Sequence, residues 1–393
     1  MAEMLHLLII PELLFTLGYV ALMFYFLWKW NAIQVGDKNS ISEITNLPFV
    51  SVIVPVRNEI ENLPVILAAL NGQDFPKEKV EFLFVNDHSD DGSSNFLEQI
   101  NQPGFQVIHL DNSFGKKAAL TSGITHAKGE WILTTDADCS LSVDWISSLI
   151  NCGVTNHAVM VCGLVRIIPN DKFSSWFQYI EGAVLQVCGA AALSIGKPLL
   201  NTGASLAFRK DCWQEIKGYS THANIASGDD TFLMLEMNEK YPGRVIPCTT
   251  GGGIASTVAA NSFKMLFMQR IRWAGKTKYY HSSFINFTGL IVVLAAFSVL
   301  IAFIAVLIDA HLWKIFFSVL FLRGIAELSL LRKFPRNHSF KGANREPNAM
   351  AETSLEQPPY HFQMLMVIIY PFFTLMVLLA SAINNPEWKG RKL

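Results

Sequence analysis

Short runs of β-branched and aromatic residues alternate with helical stretches from about residue 48 to residue 260. The first run, Phe49 to Pro55, is mostly apolar and predicts a buried strand. Three more strand-like runs and two helical stretches follow, the strands at 80–85, 106–110 and 130–135 and the helices at 63–70 and 116–127. This alternation predicts an α/β domain with a largely parallel sheet and helices on its faces.

Long apolar runs flank this region on both sides. Residues 7–28 are interrupted only by Pro11 and Glu12 and end in aromatic and basic residues, as is typical of a helix that crosses a bilayer. A cleaved signal peptide is the alternative, but the run is long, has no basic start and shows no small-x-small cleavage site. Residues 285–308 and 361–383 are also apolar and predict two further spans.

A fourth apolar run, 311–331, contains Arg323 and Glu327. Their spacing of four places both on one helix face, where they can pair inside a helix bundle. The chain is therefore expected to divide into an N-terminal transmembrane helix (1–30), an α/β domain (48–260), a juxtamembrane segment (261–283) and a C-terminal transmembrane region (284–393) of about three helices with a polar loop at 332–360.

Basic residues predict on which side of the membrane the α/β domain lies. Five lysines and arginines in the loop 332–360, with weaker support from Lys29 and Lys38, favour a cytoplasmic domain in a bacterial-type inner or plasma membrane. Four spans would then place the C-terminus outside, yet it ends in the basic run 388–393. Either this tail is a tolerated exception or one C-terminal segment does not cross the membrane fully.

The composition narrows the range of partners. Of the 393 residues, 51% are hydrophobic and 16% are charged, and the net charge of −1 provides no global field that would attract nucleic acid. The six cysteines form no Cys-x-x-Cys pair, which favours a reducing compartment and argues against a structural zinc site.

Polar side chains follow three of the predicted strands. Arg57 and Glu59 come after the first strand, Asp87 after the second, and Asp136 and Asp138 after the fourth. Because ligands of parallel sheets bind at the carboxyl ends of the strands, we expect these groups to lie together. Two carboxylates two residues apart can hold one Mg²⁺ or Mn²⁺ ion together with substrate phosphates, and the metal would neutralise a leaving diphosphate.

Two neighbouring segments each have a functional and a structural interpretation. Asp87 could bind a base or ribose, with Asp91 as a second polar contact, whereas Asp90 and Asp91 could also simply cap the helix that follows. Lys116 begins a helix, where it suits an anionic phosphate, although a solvated lysine is equally compatible with the spacing.

Three later segments have the same ambiguity. Asp229 and Asp230 begin a helical stretch, so Asp230 is either a general base for an acceptor hydroxyl or part of a helix cap. The basic segment 264–278 could bind anionic lipid, which explains its charge but not the Gln269 and Trp273 within it. Apolar residues at helical spacing in 173–187 indicate either a core helix or an interfacial helix.

Seven runs in this order resemble the membrane-integrated glycosyltransferases of family 2, which include cellulose, chitin and hyaluronan synthases and ceramide glucosyltransferases. The resemblance covers about residues 48–280, and the flanking spans fit it. The runs are Val54–Glu59, Val85–Ser93, Gly115–Lys116, Thr135–Asp138, Asn201–Ser205, Gly228–Asp230 and Gln269–Trp273. The tail Trp388–Arg391 also resembles the end of some lipid-modifying members.

The resemblance implies a GT-A fold, a Rossmann-like nucleotide-diphospho-sugar transferase domain, and inverting transfer. It assigns the general base to Asp230 and the metal to Asp136 and Asp138. It further assigns donor binding to Pro55, Arg57, Glu59, Asp87, Lys116, Asp136 and Arg272, and the acceptor side to Gly203, Asp229, Gln269 and Trp273. Four positions depart from the family pattern. Asn86 and His88 around Asp87 leave the base open, and Gly228–Asp229 in place of Thr-Glu puts the contact beside Asp230 in doubt.

We therefore predict a Mg²⁺- or Mn²⁺-dependent transferase that moves a hexosyl unit from a UDP- or GDP-linked sugar to a hydroxyl. The expected acceptor is a membrane lipid. A processive polysaccharide synthase is the alternative, but it needs a channel and usually more spans. A membrane nucleotidyltransferase would leave Gln269–Trp273 without a role, and a non-catalytic scaffold would be expected to lose the acidic residues that this chain keeps.

Overall fold

The computed structural model describes residues 2–33, 46–170, 172–219, 229–335, 358–383, 387–388 and 391–392. Side chains are described from Pro11 onward, except at Asp229 and at the last four of these residues. Most of the polar loop 332–360, Gly228 and the tail residues 389–390 lie outside the described part of the chain.

Ten strands build two sheets in the α/β region. They are β1 (Val50–Val56), β2 (Val80–Asn86), β3 (Phe105–His109), β4 (Trp131–Thr134), β5 (Cys139–Leu141), β6 (Met160–Cys162), β7 (Val165–Ile168), β8 (Leu206–Arg209), β9 (Val245–Pro247) and β10 (Ala255–Val258). A two-stranded ribbon of β11 (Glu387–Trp388) and β12 (Arg391–Lys392) ends the described chain.

Twelve α-helices accompany these strands. They are α1 (Ala2–Ala32), α2 (Leu63–Asn71), α3 (Ser93–Glu98), α4 (Lys116–His126), α5 (Trp145–Thr155), α6 (Phe173–Leu193), α7 (Lys210–Glu215), α8 (Asp229–Lys240), α9 (Phe263–Ala274), α10 (Ser283–Ile308), α11 (Trp313–Leu331) and α12 (Tyr360–Ile383). The strands and helices predicted between residues 49 and 135 all occur within one or two residues of their expected bounds.

The main sheet has seven strands in the order β3-β2-β1-β4-β8-β6-β9. Every neighbouring pair is parallel except the two pairs that involve β8, so the prediction of a largely parallel sheet is confirmed. Helices α2 and α5 bury one face of the sheet, and α4 and α8 bury the other. The second sheet, β5-β10-β7, lies beyond the end of β4.

Gly123 allows α4 to lie directly on β1. A Cβ atom at this position would come within 2.6 Å of Cγ2 of Ile53, so only glycine permits this approach without displacing the strand. The close packing holds the first residue of the helix, Lys116, at the carboxyl edge of the sheet.

Helix α6 is a core helix, so the interfacial interpretation of residues 173–187 is wrong. Phe177, Ile180 and Val187 are buried, and they pack in a cluster with residues of α1, α9, α11 and α12. The helix is apolar on more than one side because it lies between β7 and the C-terminal helices. It therefore connects the α/β region to the helices that flank it in sequence.

Among the described residues, three helices are long and apolar enough to cross a membrane: residues 11–32 of α1, all of α10 and all of α12. Helix α11 lies between α10 and α12 in the sequence and contains the pair expected from spacing, since Arg323 Nη2 lies 3.0 Å from Glu327 Oε1. The C-terminal end of α11 returns to the α/β region, where Arg166 Nη2 donates to the Pro335 carbonyl oxygen at 2.6 Å. Large apolar side chains on the outer surfaces of these helices are exposed, among them Leu17, Leu290, Phe321 and Leu379.

Candidate active site

Hydrogen bonds join the loops that follow β1 and β2. The Asp91 carboxylate accepts from the backbone N–H groups of Ile60 and Ser93, both at 3.0 Å, and Asn58 Oδ1 accepts from the Asp90 N–H at 3.0 Å. Asp91 therefore fastens one loop to the other and begins α3, as the capping interpretation predicts, while the Asp90 side chain is exposed.

His88, which departs from the family pattern, has a backbone conformation that normally favours glycine. Its φ angle is +56°, in the left-handed region that is strained for most side chains. The imidazole is held by Asp87 Oδ1 at 3.1 Å, by the Asp111 carbonyl oxygen at 3.1 Å, and by stacking on Phe114 at 4.2 Å between ring centroids. These contacts compensate for the strain and make the His88–Phe114 pair a rigid wall beside Asp87.

Asp87 is buried at the end of β2 and binds three neighbouring groups. Oδ2 accepts from the Gly115 N–H at 2.9 Å and lies 3.4 Å from Arg57 Nη1, and Oδ1 contacts His88. The carboxylate thus connects the loops after β1 and β2 to the start of α4, and it also lines the large cavity described below.

Asp136 and Asp138 follow β4, and Lys116 pairs with the nearer carboxylate. The Lys116 ammonium contacts Asp136 Oδ1, and Thr257 Oγ1 lies 3.5 Å from Asp138 Oδ2. Asp138 is open to the cavity, but its enclosure by protein and the carboxylates of Asp136 and Glu59 raise its pKa to about 6. A concentration of negative charge of this kind attracts a cation.

Asp230, at the start of α8, points toward the Asn201–Ser205 segment. Oδ2 accepts from the Gly203 N–H at 2.8 Å, and Oδ1 accepts from the Thr231 N–H at 2.7 Å. Two backbone donors therefore fix the orientation of the carboxylate, which also lines the cavity. The Asp229 side chain lies outside the described part of the chain, so its expected role stays a prediction.

Arg272 reaches the same cavity from α9. Burial lowers the pKa of its guanidinium, an effect partly opposed by the carboxylates of Asp230 and Asp136. In the described chain its Nε–H is buried without a hydrogen-bond partner, and the same is true of the Asn201 Nδ2 group. Buried donors are normally satisfied, so both groups are suited to bind an anionic or oxygen-rich ligand.

Arg270 and Glu181 were not expected as site residues, and they organise the Gln269–Trp273 segment. Arg270 Nε and Nη2 lie 2.9 and 2.7 Å from Glu181 Oε2, and Nη1 donates to Gln269 Oε1 at 2.7 Å. The Arg270 guanidinium also lies over the Trp273 ring at 4.0 Å. Glu181 is the only charged residue in α6, and this was the signal in the sequence that could have identified it.

One cavity of about 980 Å³ brings these groups together. It is lined by every residue expected from the sequence to serve the site, apart from Asp229: Pro55, Arg57, Glu59, Asp87, Lys116, Asp136, Asp138, Gly203, Asp230, Gln269, Arg272 and Trp273. From this polar edge the cavity continues between α1, α6, α10 and α12, where most of its lining is apolar.

The carboxylate pair fits a metal that shares its coordination with substrate. Among the described residues, no group of three or more His, Cys, Asp or Glu side chains is arranged to bind a metal. Mg²⁺ is usually held by one or two carboxylates together with substrate phosphates and water, and Asp136 and Asp138 supply that number. The raised pKa of Asp138 agrees, because a nearby cation would relieve the crowding of negative charge.

Replacing Glu181 with glutamine is expected to lower both stability and activity. The change leaves the buried Arg270 guanidinium without its counter-charge, which costs about 3 kcal/mol or more, and it loosens the arginine that packs on Trp273. The measurement is the midpoint of thermal unfolding in detergent. Glu215→Gln, which alters an exposed ion pair with Lys240, is the control and should leave the midpoint unchanged. Equal shifts for both variants would contradict the structural importance of the buried pair.

Comparison with known proteins relates part of the chain to glycosyltransferases. Residues 51–214 match the family model described as glycosyl transferase family 2. Glycosyltransferase AglE of Haloferax volcanii is 36% identical over 187 residues, which are 47% of this chain and 60% of AglE. Undecaprenyl-phosphate 4-deoxy-4-formamido-L-arabinose transferase of Edwardsiella ictaluri is 28% identical over 170 residues, which are 42% of this chain and 50% of that protein. The chain thus matches only about half of the length of these relatives.

The fold has a counterpart among solved structures. Mannosyltransferase PcManGT from Pyrobaculum calidifontis, solved in complex with GDP-Man and Mn²⁺, has a TM-score of 0.54 and 17% sequence identity, with 96% of this chain and 99% of that chain covered. The α/β region is therefore a GT-A domain. Residues 51–214 are thus similar to the domain of glycosyltransferase family 2.

Proposed function

We propose that this protein is an inverting, metal-dependent glycosyltransferase that moves a hexosyl unit from a nucleotide-diphospho-sugar to a hydroxyl on a membrane lipid. The observation that carries the proposal is one cavity that is lined both by polar groups and by apolar helices. Asp136, Asp138 and Lys116 line the edge that would bind phosphate, and the apolar part would hold a lipid. Asp230 lines the same cavity and would serve both substrates.

The donor would occupy the carboxyl edge of the sheet. Pro55, Arg57, Glu59 and Asp87 line the part of the cavity next to β1 and β2, where the base and ribose of a UDP- or GDP-linked sugar would bind. Lys116, at the start of α4, and the unpartnered Arg272 Nε–H would bind the diphosphate. A Mg²⁺ or Mn²⁺ ion held by Asp136 and Asp138 would supply Lewis-acid neutralisation of the leaving group.

The transfer step would form one bond at the anomeric carbon and break another. The acceptor oxygen attacks this carbon from the side opposite to the diphosphate, the bond between carbon and diphosphate oxygen breaks, and Asp230 takes the hydroxyl proton. The electron pair of the broken bond goes to the nucleoside diphosphate, whose charge Lys116 and Arg272 stabilise. The Gly203 and Thr231 N–H groups keep Asp230 in position for this role.

The acceptor would enter through the apolar part of the cavity. This part is lined by helices with exposed apolar outer surfaces, and α1, α10 and α12 are long enough to span a bilayer. The name of the Edwardsiella ictaluri relative refers to a lipid-linked acceptor, which also supports a lipid. A processive polysaccharide synthase of the cellulose, chitin or hyaluronan synthase type is the alternative, in which the same space would hold a glycan.

We further propose that the protein is integral to a bacterial-type inner or plasma membrane, with the GT-A domain on the cytoplasmic face. Helix α11 returns to the α/β region, and α12 begins beside it, where Phe362 stacks on Trp176. If α10 crosses the membrane, α11 crosses back despite its three charged residues, and the basic tail would then lie on the opposite side from the catalytic domain. The tail would thus be an exception to the charge rule.

The test uses full-length protein in membranes, a panel of radiolabelled UDP- and GDP-sugars, and Mg²⁺ or Mn²⁺. Label that enters the organic phase would establish a lipid glycosyltransferase and identify the donor. Label retained in a water-soluble or insoluble polymer would favour the synthase instead. If no donor is turned over in a metal-dependent manner, the proposed function is wrong.

A further inference from the structure

A second polar cluster lies deep in the helical part of the molecule. Glu327 Oε1 accepts hydrogen bonds from the Tyr19 hydroxyl at 2.8 Å and from Arg323 Nη2 at 3.0 Å. The Arg323 guanidinium lies 4.2 Å from the centre of the Tyr19 ring. These residues come from α1 and α11, and the exposed fractions of Glu327 and Arg323 are 9% and 1%.

Glu327 lines the same cavity as the carboxyl edge of the sheet, called here the donor edge because the donor would bind there. Glu327 and Tyr19 line this cavity, whereas Arg323 is behind them and does not. Tyr370 and Glu181 line the cavity as well. Polar groups from α1, α6, α11 and α12 therefore lie along the apolar part of the cavity.

Charged residues in such surroundings are costly and usually have a function. Arg323 neutralises Glu327, and in the described chain its buried Nε–H and Nη1–H have no hydrogen-bond partner. If these residues only filled space in the core, apolar side chains would do equally well, because replacing a buried ion pair by well-packed apolar residues is often neutral or stabilising. The carboxylate of Glu327 remains accessible from the cavity and can accept another hydrogen bond.

We propose that Glu327 is an acceptor subsite that binds an O–H or N–H donor on the polar part of a neutral, hydroxyl-bearing lipid. This inference rests on the proposed function and specifies its acceptor. The carboxylates of Glu181, Asp230 and Glu327 all line the acceptor half of the cavity, and Arg270 and Arg323 already pair with glutamates. An ionised lipid phosphate has no O–H or N–H to donate to these carboxylates, whereas a hydroxyl-bearing lipid does.

The chemistry of the transfer step points to the same acceptor class. A phosphate monoester is already ionised at neutral pH and attacks without a base, whereas a hydroxyl must lose a proton. A carboxylate oriented by two backbone N–H donors, as Asp230 is, would act as a general base only with a hydroxyl acceptor.

The first experiment compares two lipid probes with purified full-length protein in phosphatidylcholine vesicles. The vesicles contain either dioleoylglycerol or undecaprenyl phosphate, and the donor is the nucleotide-sugar that the membrane assay identifies. Transfer to dioleoylglycerol is the expected result. Transfer to undecaprenyl phosphate alone would overturn the inference and the hydroxyl acceptor but leave the assignment as a lipid glycosyltransferase intact, and donor hydrolysis with no lipid product in any membrane assay would remove the proposed function itself.

The second experiment tests Glu327 directly. Glu327→Gln, and the double variant Arg323→Met with Glu327→Leu, are expected to raise the KM for dioleoylglycerol by about 10- to 100-fold, as the loss of a hydrogen bond to a charged group would. Donor hydrolysis without acceptor should change less than about twofold, because Glu327 is not at the donor edge.

Ser329→Ala, at a half-buried position on the same helix that does not line the cavity, is the matched control. The double variant removes both members of the ion pair and leaves no buried charge unpaired, so we expect it to fold even if Glu327→Gln does not. If the variants lower only the unfolding midpoint and leave the KM for the lipid unchanged, the cluster is structural and the inference is wrong.

Discussion

Replacing Asp230 with asparagine is expected to lower the rate of sugar transfer by about 10²- to 10⁴-fold, the usual contribution of a general base. Asparagine has nearly the same shape, and its carbonyl oxygen can still accept the hydrogen bond from the Gly203 N–H. It cannot take the proton of the acceptor hydroxyl. The measurement is kcat for label transfer into lipid, with donor KM determined in parallel.

The Asp90→Asn variant is the matched control for this prediction. Asp90 is an exposed carboxylate at the same edge of the sheet, and the cavity lining does not include it, so its replacement should leave kcat unchanged. If Asp230→Asn retains full kcat but binds the donor weakly, the carboxylate would be a binding group and the base would have to be sought elsewhere.

Replacing Asp138 with asparagine is expected to lower kcat/KM by about 10²- to 10³-fold and to weaken the response to Mg²⁺ or Mn²⁺. The carboxylates of Asp136 and Asp138 line the cavity beside Lys116 and would hold the metal, and metal neutralisation of a leaving group contributes several kcal/mol. The measurement is a metal titration of transfer activity after treatment with EDTA.

An exposed acidic residue provides the comparison for the metal titration. Glu78→Gln changes a carboxylate outside the cavity and should leave the metal response unchanged. Full activity of the native enzyme in EDTA would contradict metal dependence. Loss of activity in Asp138→Asn with an unaltered metal response would instead indicate that Asp138 contacts the donor directly.

The local pattern predicts the first half of the GT-A domain well. Strand and helix periodicities are properties of neighbouring residues, so β1, β2, β3 and β4 appear close to their expected bounds. Because parallel strands bring their carboxyl ends to one edge, the order of the strands was enough to predict that Asp87 and Asp136 share a cavity. The spacing of Arg323 and Glu327 likewise predicted their pairing, since it depends only on the helical repeat.

Contacts between distant segments could not be predicted in this way. Glu181 and Arg270 are 89 residues apart, and Tyr19 and Glu327 are 308 residues apart, so no local pattern relates them. The antiparallel direction of β8 and the burial of α6 between sheet and helices also depend on how the chain returns after residue 135. The sequence of an amphipathic or apolar helix indicates that the helix will be buried, but it does not indicate which other segments will cover it.

By itself the sequence determined the domain type, the acidic groups at the sheet edge and the helices that are apolar enough to span a membrane. These features follow from periodicity, residue chemistry and spacing, which act over a few residues. Only the tertiary structure decided that one cavity joins the carboxyl edge of the sheet to the helices, that Arg270 packs on Trp273, and that Glu327 lines the same cavity. The physical reason is that such a cavity is formed by side chains from many separate elements, whose positions depend on the packing of the whole chain.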